Sequence, residues 1–145
     1  MARYLIVAHQ TAASFELVDF ARALSERDPD TSFVLLVPAK PAALPPTWEE
    51  GEVREIARRR AREAEIVLLG AGVNLVEARI GDPSPLQAVE DELRERSGYD
   101  GIVVSTFPPG ISRWLHSDLP NRLRRHFGLP VEHVVATSVC ARQTA

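Results

Sequence analysis

A few side chains of this sequence have types that could perform chemistry together. They are Ser105 or Thr106, His9 and Asp82. A hydroxyl nucleophile, a histidine base and an aspartate that orients the base make up the triad of many hydrolases. The nucleophile of an α/β-hydrolase lies in a Gly-x-Ser-x-Gly turn, because glycine tolerates the strained backbone there. Val103 and Phe107 stand at the two glycine positions around Ser105. The sequence therefore lacks the nucleophile turn, and a small hydrolase remains only an alternative.

Metal-ligating residues are few and poorly spaced. The four histidines are His9, His116, His126 and His133. No pair of them has the His-Glu-x-x-His spacing that places two ligands on one helix face. Cys140 is the only cysteine, which excludes an internal disulfide and a zinc site built from several cysteines. The sequence predicts no metal site.

Two glycines near the middle of the chain raise the question of dinucleotide binding. Gly70-Ala71-Gly72 follows an apolar stretch, as a Gly-x-Gly-x-x-Gly turn would, but Leu75 occupies the third glycine position. The residues after Gly72 alternate like a strand and not like the helix that the motif requires. We therefore interpret Gly70 or Gly72 as the left-handed end of a helix.

Short apolar, β-branched runs alternate with stripes of helical period along the chain. The predicted strands cover about residues 4–8, 32–37, 73–80, 101–105 and 131–137, and the predicted helices about 15–27, 47–69, 85–96 and 118–127. Ser14, Thr47 and Ser84 stand where the first three helices need a cap. This alternation predicts a parallel sheet with helices on both faces.

Composition sets the class of protein. The chain has 145 residues, 45% of them hydrophobic, and a net charge of −3. These values predict one cytoplasmic domain over residues 1–137, followed by a flexible tail over 138–145. They disfavour a basic nucleic-acid binder, and no apolar run approaches the roughly 20 residues of a membrane span. We expect neither nucleic acid nor a membrane as a partner.

A ligand of such a sheet is expected where two strands diverge at their carboxyl ends. The segments at that point are His9 to Ser14, after the first strand, and Ser105 to Asp118, after the fourth. We interpret His9 as a half-buried histidine hydrogen-bonded to a neighbouring loop. Trp114 is expected to pack over the end of the sheet and to fill the cleft there.

Several short motifs follow one another along the chain in a characteristic order and spacing. They are Leu5-Ile6-Val7-Ala8 with Thr11 and Ser14 in the next turn, Gly81-Asp82-Pro83, Tyr99-Asp100-Gly101-Ile102-Val103-Val104, Ser112-Arg113-Trp114-Leu115 and Leu129-Pro130-Val131. In this order and spacing the sequence resembles the universal stress protein family from about Arg3 to Thr137. The resemblance implies a Rossmann-like, three-layer α/β/α fold with about five parallel strands in the order 3-2-1-4-5.

The resemblance also implies a stress-linked, non-catalytic role and a homodimer joined through the last strand. The residues of this sequence expected at that interface are Val131, His133 and Val135. Some members of the family bind ATP and others do not. Positions that correspond to the nucleotide site are His9, Gln10, Thr11, Val37, Ser105, Thr106, Gly110, Ser117 and Asp118.

The phosphate loop of the ATP-binding members is degenerate here. Their Gly-x-x-Gly, nine residues, then Gly-Ser or Gly-Thr lets backbone N–H groups approach the phosphates. This sequence has Ser105 at the first glycine and Pro108 or Pro109, which lack an N–H, at the second. Asp118 is expected to cap the last helix with its carboxylate, in the place of an anion. We predict no cofactor, no tight ATP binding and an unidentified protein partner. A nucleotide-binding module with a nonstandard loop remains the first alternative.

Overall fold

In a computed structural model, residues 2–39, 50–116 and 118–137 are described. In chain order the elements of these ranges are β1 (Arg3–Val7), α1 (Phe15–Arg27), β2 (Ser32–Pro38), α2 (Glu50–Gly70), β3 (Leu75–Gly81), α3 (Pro85–Glu95), β4 (Gly101–Thr106), α4 (Arg113–His116), α5 (Leu119–Phe127) and β5 (Val131–Val135). Strands and helices alternate as the sequence predicts, except that two helices separate β4 from β5.

The five strands form one parallel sheet in the order β3-β2-β1-β4-β5, as predicted. β1 is central: Ile6 lies beside Leu35 of β2 on one side and beside Val103 of β4 on the other. Its apolar run is buried on both faces, which is typical of a central strand in a parallel sheet. The strand order reverses between β1 and β4, so their carboxyl ends flank the expected binding cleft.

Two apolar clusters lie on opposite faces of the sheet. Alternate residues of β1 enter different clusters: Ile6 packs with Leu17 of α1 and Leu68 of α2, and Val7 packs on the other face. Val89 of α3 and Leu123 of α5 belong to that second cluster. The fold therefore has three layers, with α1 and α2 on one face and α3 and α5 on the other.

The helix α2 has 21 residues. Its buried side chains, Ala57, Ala61, Ala64 and Leu68, recur every three or four positions and face the sheet. Its opposite side is rich in arginine and glutamate, as expected for a solvated face. Within the ranges described, the structure contains no helix long and apolar enough to cross a membrane.

Most helix ends follow the sequence prediction. The hydroxyls of Ser14 and Ser84 accept hydrogen bonds from the backbone N–H groups of Leu17 and Gln87. Gly72, at φ 86°, and Gly128, at φ 65°, provide the left-handed residues that follow α2 and α5. The predicted cap at Thr47 lies outside the described residues.

Three boundaries differ from the prediction. β3 begins at Leu75 and not at Val73, and β5 ends at Val135 and not at Thr137. The segment after β4, expected as a loop, contains the single turn of α4. Apolar alternation defines the extent of a strand only to within one or two residues, and both strand boundaries differ by that amount.

One buried carboxylate holds α3 to the sheet. Glu92 accepts a 2.7 Å hydrogen bond from the hydroxyl of Tyr99, and its Oε1 lies 3.3 Å from Nε of Arg79 on β3. Burial, followed by the hydrogen bond to Glu92, raises the pKa of Tyr99 well above its usual value. Because the charge of Glu92 is paired and hydrogen-bonded, this cluster has a structural explanation.

Candidate functional site

The candidate site is a cleft at the carboxyl ends of β1 and β4. The turn after β1 is fixed by two backbone hydrogen bonds, from Ala12 N to His9 O and from Ser14 N to Thr11 O. Ser14 then caps α1, so the turn leads directly into the helix. The residues that line the cleft are His9, Gln10, Thr11, Ser105, Thr106, Phe107 and Trp114. The structure thus brings together the two segments that the sequence predicts, the turn after β1 and the segment after β4.

The cleft is almost completely filled. Between the described residues it has a volume of about 10 Å³, which is at the lower limit for one water molecule. Trp114 on α4 is buried among Leu5, Val7 and Val104 of the second apolar cluster and closes the cleft from that side. The expectation that Trp114 packs over the sheet end and fills the cleft is confirmed. A nucleoside does not fit in this arrangement.

His9 differs from its predicted environment. Its side chain is only 1% exposed, and neither Nδ1 nor Nε2 has a hydrogen-bond partner among the described residues. The interpretation as a half-buried, hydrogen-bonded histidine is therefore wrong: the ring is fully buried in the cleft that Trp114 also lines. Burial, and to a smaller extent the positive charge of Arg60 on α2, lowers its pKa from 6.5 to about 4. The ring is neutral at pH 7.

The two hydroxyls of the cleft bind each other. Thr11 Oγ1 and Ser105 Oγ lie 2.7 Å apart and are buried. A hydrolase would need a hydrogen bond between the nucleophile and its base, but the ring nitrogens of His9 bind no described residue. Asp82 Oδ1 accepts from the backbone N–H of Ser84 at the start of α3. The arrangement does not support a triad of these residues.

Two backbone amides of the loop after β4 are hydrogen-bonded within the loop itself. Pro108 and Pro109 have no N–H, and the N–H groups of Ile111 and Ser112 both donate to the carbonyl of Pro108. Gly110 has φ 93°, which closes this turn. Amides that are engaged in the turn cannot also bind a phosphate. The N–H groups of Ile111 and Ser112 are therefore not available to a phosphate in this arrangement.

Asp118 does not act as predicted. It precedes α5, but its backbone is left-handed at φ 55°, and its carboxylate makes no cap to the backbone of α5. Oδ1 accepts instead from the side-chain amide of Asn121, at 3.0 Å. The predicted carboxylate cap is therefore wrong, because the left-handed turn into the helix directs the side chain away from the backbone N–H groups.

The polar end of β4 also contacts the edge strand. Thr106 Oγ1 donates to the carbonyl of Phe107 and lies 2.8 Å from Nε2 of His133. Burial, followed by the charge of Arg124, lowers the pKa of His133. Val131 is buried, whereas Val135 is 39% exposed at the edge of the sheet. The three predicted interface residues thus lie on the strand β5, which the described chain covers on one side only.

Several predicted residues lie away from the cleft. Val37 is buried in the apolar core, Gly110 is exposed at the loop, and Asp118 is exposed at the start of α5. Ser117 lies outside the described residues. Phe107 and Arg60 were not predicted for the site; the position of Phe107 directly after Thr106 was the available signal. The described part of the chain contains no group of three or more His, Cys, Asp or Glu that could hold a metal ion.

The fold is shared with solved structures despite low sequence identity. A universal stress protein family protein from Burkholderia pseudomallei is 19% identical, with 91% of this chain and 94% of that chain covered and a TM-score of 0.57. A universal stress protein from Archaeoglobus fulgidus is 14% identical, with 92% and 98% covered and a TM-score of 0.61. A family protein from Arabidopsis thaliana with AMP bound is 13% identical, with 95% and 94% covered and a TM-score of 0.60.

These similarities show that the chain has the universal stress protein fold, as the sequence motifs predict. No family model matches the chain, and no curated protein matches its sequence significantly. The shared feature is thus the three-layer architecture with strand order 3-2-1-4-5, at a sequence identity that carries no further conclusion.

Proposed function

We propose that this chain is a non-catalytic, cytoplasmic stress-response or regulatory domain of the universal stress protein type. It acts as a homodimer through β5 and recognises a protein partner without tight binding of ATP. The observation that carries the proposal is the filled cleft, which holds about 10 Å³ between Trp114, Phe107 and the turn after β1. The engaged amides of the loop after β4 support it independently.

A second candidate function is nucleotide binding with a nonstandard phosphate loop. The solved relative from Arabidopsis thaliana has AMP bound, and His9 offers two ring nitrogens that have no partner within the described chain. This function requires Trp114 to leave the apolar cluster in which it is buried. Removal of the Trp114 side chain from that cluster would lower the stability of the fold by roughly several kcal/mol, the range measured when large core side chains are truncated.

Thermal unfolding with and without millimolar Mg-ATP, AMP or GTP tests the proposal. A ligand that binds only the folded state at about 100 times its Kd adds roughly 2.7 kcal/mol of stability. We expect no change of Tm with any of the three. A shift of several degrees that is specific to adenine nucleotides would contradict the proposal and support the second candidate.

Variants of two serines, one inside and one outside the cleft, would locate the nucleotide site if the Tm shifts. Ser105 lines the cleft, whereas Ser97 is exposed before β4. A shift that is lost in Ser105→Ala and retained in Ser97→Ala would place the nucleotide in the cleft. A shift retained in both variants would indicate binding elsewhere.

A further inference from the structure

The exposed face of α5 carries an unbalanced group of arginines. Arg122, Arg124 and Arg125 lie close together on a helix of nine residues that contains no acidic side chain. All three are exposed. The whole chain has a net charge of −3, so this positive surface is opposite in sign to the molecule as a whole.

Arg124 has a structural explanation. Its Nη2 donates a 2.8 Å hydrogen bond to the carbonyl of Val131 on β5, and its Nη1 binds the side-chain oxygen of Asn121. Leu119 and Leu123 of the same helix are buried in the second apolar cluster. These contacts fix α5 against the sheet, so its exposed face has a defined position.

Arg122 and Arg125 have no contact of this kind. Neither side chain makes an ion pair or a hydrogen bond with any residue that the structure describes. Side chains three positions apart on a helix are neighbours, and like charges there repel each other. The helix macrodipole favours cations in the last turn, which includes Arg125 but not Arg122. The fold therefore gives Arg122 no compensating interaction.

The acidic residues that precede and follow α5 in the sequence do not neutralise this pair. Asp118 accepts a 3.0 Å hydrogen bond from the side-chain amide of Asn121 instead. Val131 of β5 packs in the second apolar cluster, on the face of the sheet that α5 covers. Since side chains alternate along a strand, Glu132 projects from the opposite face.

Two exposed guanidinium groups on one helix face suit a partner that carries carboxylates. Each guanidinium can bind a carboxylate through two parallel N–H···O bonds. Cβ atoms three positions apart on a helix are separated by about 5–6 Å, and alternate side chains of an extended chain project from one face at about 6.6 Å. An extended segment with acidic residues at alternate positions therefore matches the spacing of Arg122 and Arg125.

A nucleic acid matches this surface less well. Its non-specific binding gains affinity with the number of phosphates that the protein contacts, and Arg122 and Arg125 offer two guanidinium groups. The net charge of −3 also opposes the approach of a long polyanion. The observations therefore favour an acidic segment of a protein as the occupant.

We propose that the face of α5 with Arg122 and Arg125 is a docking surface for an extended, acidic segment of a partner protein. The inference rests on the proposed function in one respect, the recognition of a protein partner, and it names the surface and the chemistry of that partner. No residue of the cleft takes part.

Fluorescence anisotropy tests this docking surface with the full chain. The probe is a fluorescein-labelled peptide in which glutamate and glycine alternate. One variant combines Arg122→Gln with Arg125→Gln. The matched control combines Arg58→Gln with Arg62→Gln on α2, where both arginines are exposed but lie within 3.9 Å of Glu55. Both variants lose the same charge. A salt concentration of about 0.1 M screens charges more than about 10 Å apart.

We expect the α5 variant to bind the peptide at least about tenfold more weakly than the parent chain, because two charge-assisted contacts are lost. The α2 variant should bind within about twofold of the parent. Equal weakening in both variants would overturn the proposal, because only net charge would then matter. A parent chain that does not bind the peptide, or that binds a thymidine oligonucleotide of equal charge more tightly, would also overturn it.

Thermal unfolding separates a docking role from a structural one. Arg122→Gln should leave the Tm unchanged or raise it, since it removes a repulsion and no printed bond of the fold. A clearly lower Tm would assign Arg122 a structural role and overturn the proposal. A Tm shift with adenine nucleotides would contradict the proposed function and leave the peptide result unaffected, so the two proposals fail separately.

Discussion

A neutral histidine buried without a partner is costly for a folded protein. His9 places two ring nitrogens out of contact with solvent, and each such unsatisfied polar group typically costs about 1–3 kcal/mol. Ser112 is in the same condition, since its buried hydroxyl has no partner among the described residues. Buried polar groups without a partner are rare in folded proteins, and they are found at positions with a functional or strained role.

His9→Leu should therefore increase the free energy of unfolding at pH 7, by about 1 kcal/mol, because the substitution removes buried polar atoms and retains volume. Urea unfolding of the variant and of the parent chain measures the difference. His126→Gln serves as the control, since His126 is exposed on α5. A loss of stability in the His9→Leu protein would indicate that the ring has a partner in solution.

The same histidine should make stability depend on pH. In the unfolded chain the imidazole takes up a proton as the pH falls through 6.5, whereas in the folded chain it does so only near pH 4. Between these values the unfolded state binds more protons, so stability falls with decreasing pH, by about 3 kcal/mol over the whole interval. His9→Leu should lack this part of the decrease. Parallel pH profiles for the two proteins would contradict the assignment.

The hydroxyl pair in the cleft should behave as a unit. Ser105→Ala leaves the buried Thr11 hydroxyl unpaired, and Thr11→Val does the same to Ser105, so each should cost about 1–3 kcal/mol. The double variant should cost clearly less than the sum, because it removes both polar groups. A double-mutant cycle by urea unfolding measures this coupling. Additive costs would show that the two hydroxyls do not bind each other in solution.

At the scale of elements, the C-terminal ends of α5 and α2 carry glycines of different conformation. α5 is followed by Gly128, whose φ of 65° is left-handed, and open space surrounds the position of its absent Cβ. A side chain there would meet no neighbour, so the whole penalty of a substitution lies in the backbone. α2 ends at Gly70, which has no positive φ and equally open surroundings.

Gly128→Ala should lower the free energy of unfolding by about 1–2 kcal/mol, the cost of the left-handed conformation for a residue with a Cβ. Gly70→Ala, in the last turn of α2, should instead raise it by about 0.5–1 kcal/mol, because alanine loses less conformational entropy in a helix. Thermal and urea unfolding of the two variants check the opposite signs. Effects of the same sign would contradict this account of the helix ends.

The elements were predictable from the sequence because their signals are local. The caps at Ser14 and Ser84 and the left-handed glycines after α2 and α5 depend on residues a few positions apart. The environment of His9 was not predictable in the same way. It depends on where Trp114, more than one hundred positions later, packs against β1 and β4, and no local pattern encodes that contact.

At the scale of the whole molecule, the sheet has two edges of unequal character. β3 carries Val76 and β5 carries Val135, both exposed. β3 is also flanked by ion pairs, such as that between Glu77 and Arg96, at 2.6 Å. Charged side chains at an edge strand discourage pairing with another copy. β5 carries one exposed carboxylate, Glu132, whereas β3 carries both Glu77 and Arg79, and this difference in charge favours β5 as the edge that forms the proposed homodimer.

Val135→Lys should convert the dimer to a monomer at micromolar concentration, because a lysine at the proposed interface would bury a charge. Val76→Lys is the matched control and should leave the dimer intact. Sedimentation velocity of the parent chain and both variants measures the oligomeric state. A parent chain that sediments as a monomer, or a dimer lost only in Val76→Lys, would contradict dimerisation through β5.

The central position of β1 also has a consequence for biosynthesis. One side of β1 pairs with β2, which follows soon after it, but the other side must await β4, near residue 101. At translation rates of roughly 5 to 20 residues per second, that side stays without its partner strand for about 5 to 20 seconds. During this interval the edge of β1 that later pairs with β4 is exposed in the nascent chain. Chaperones bind unpaired apolar strands of this kind.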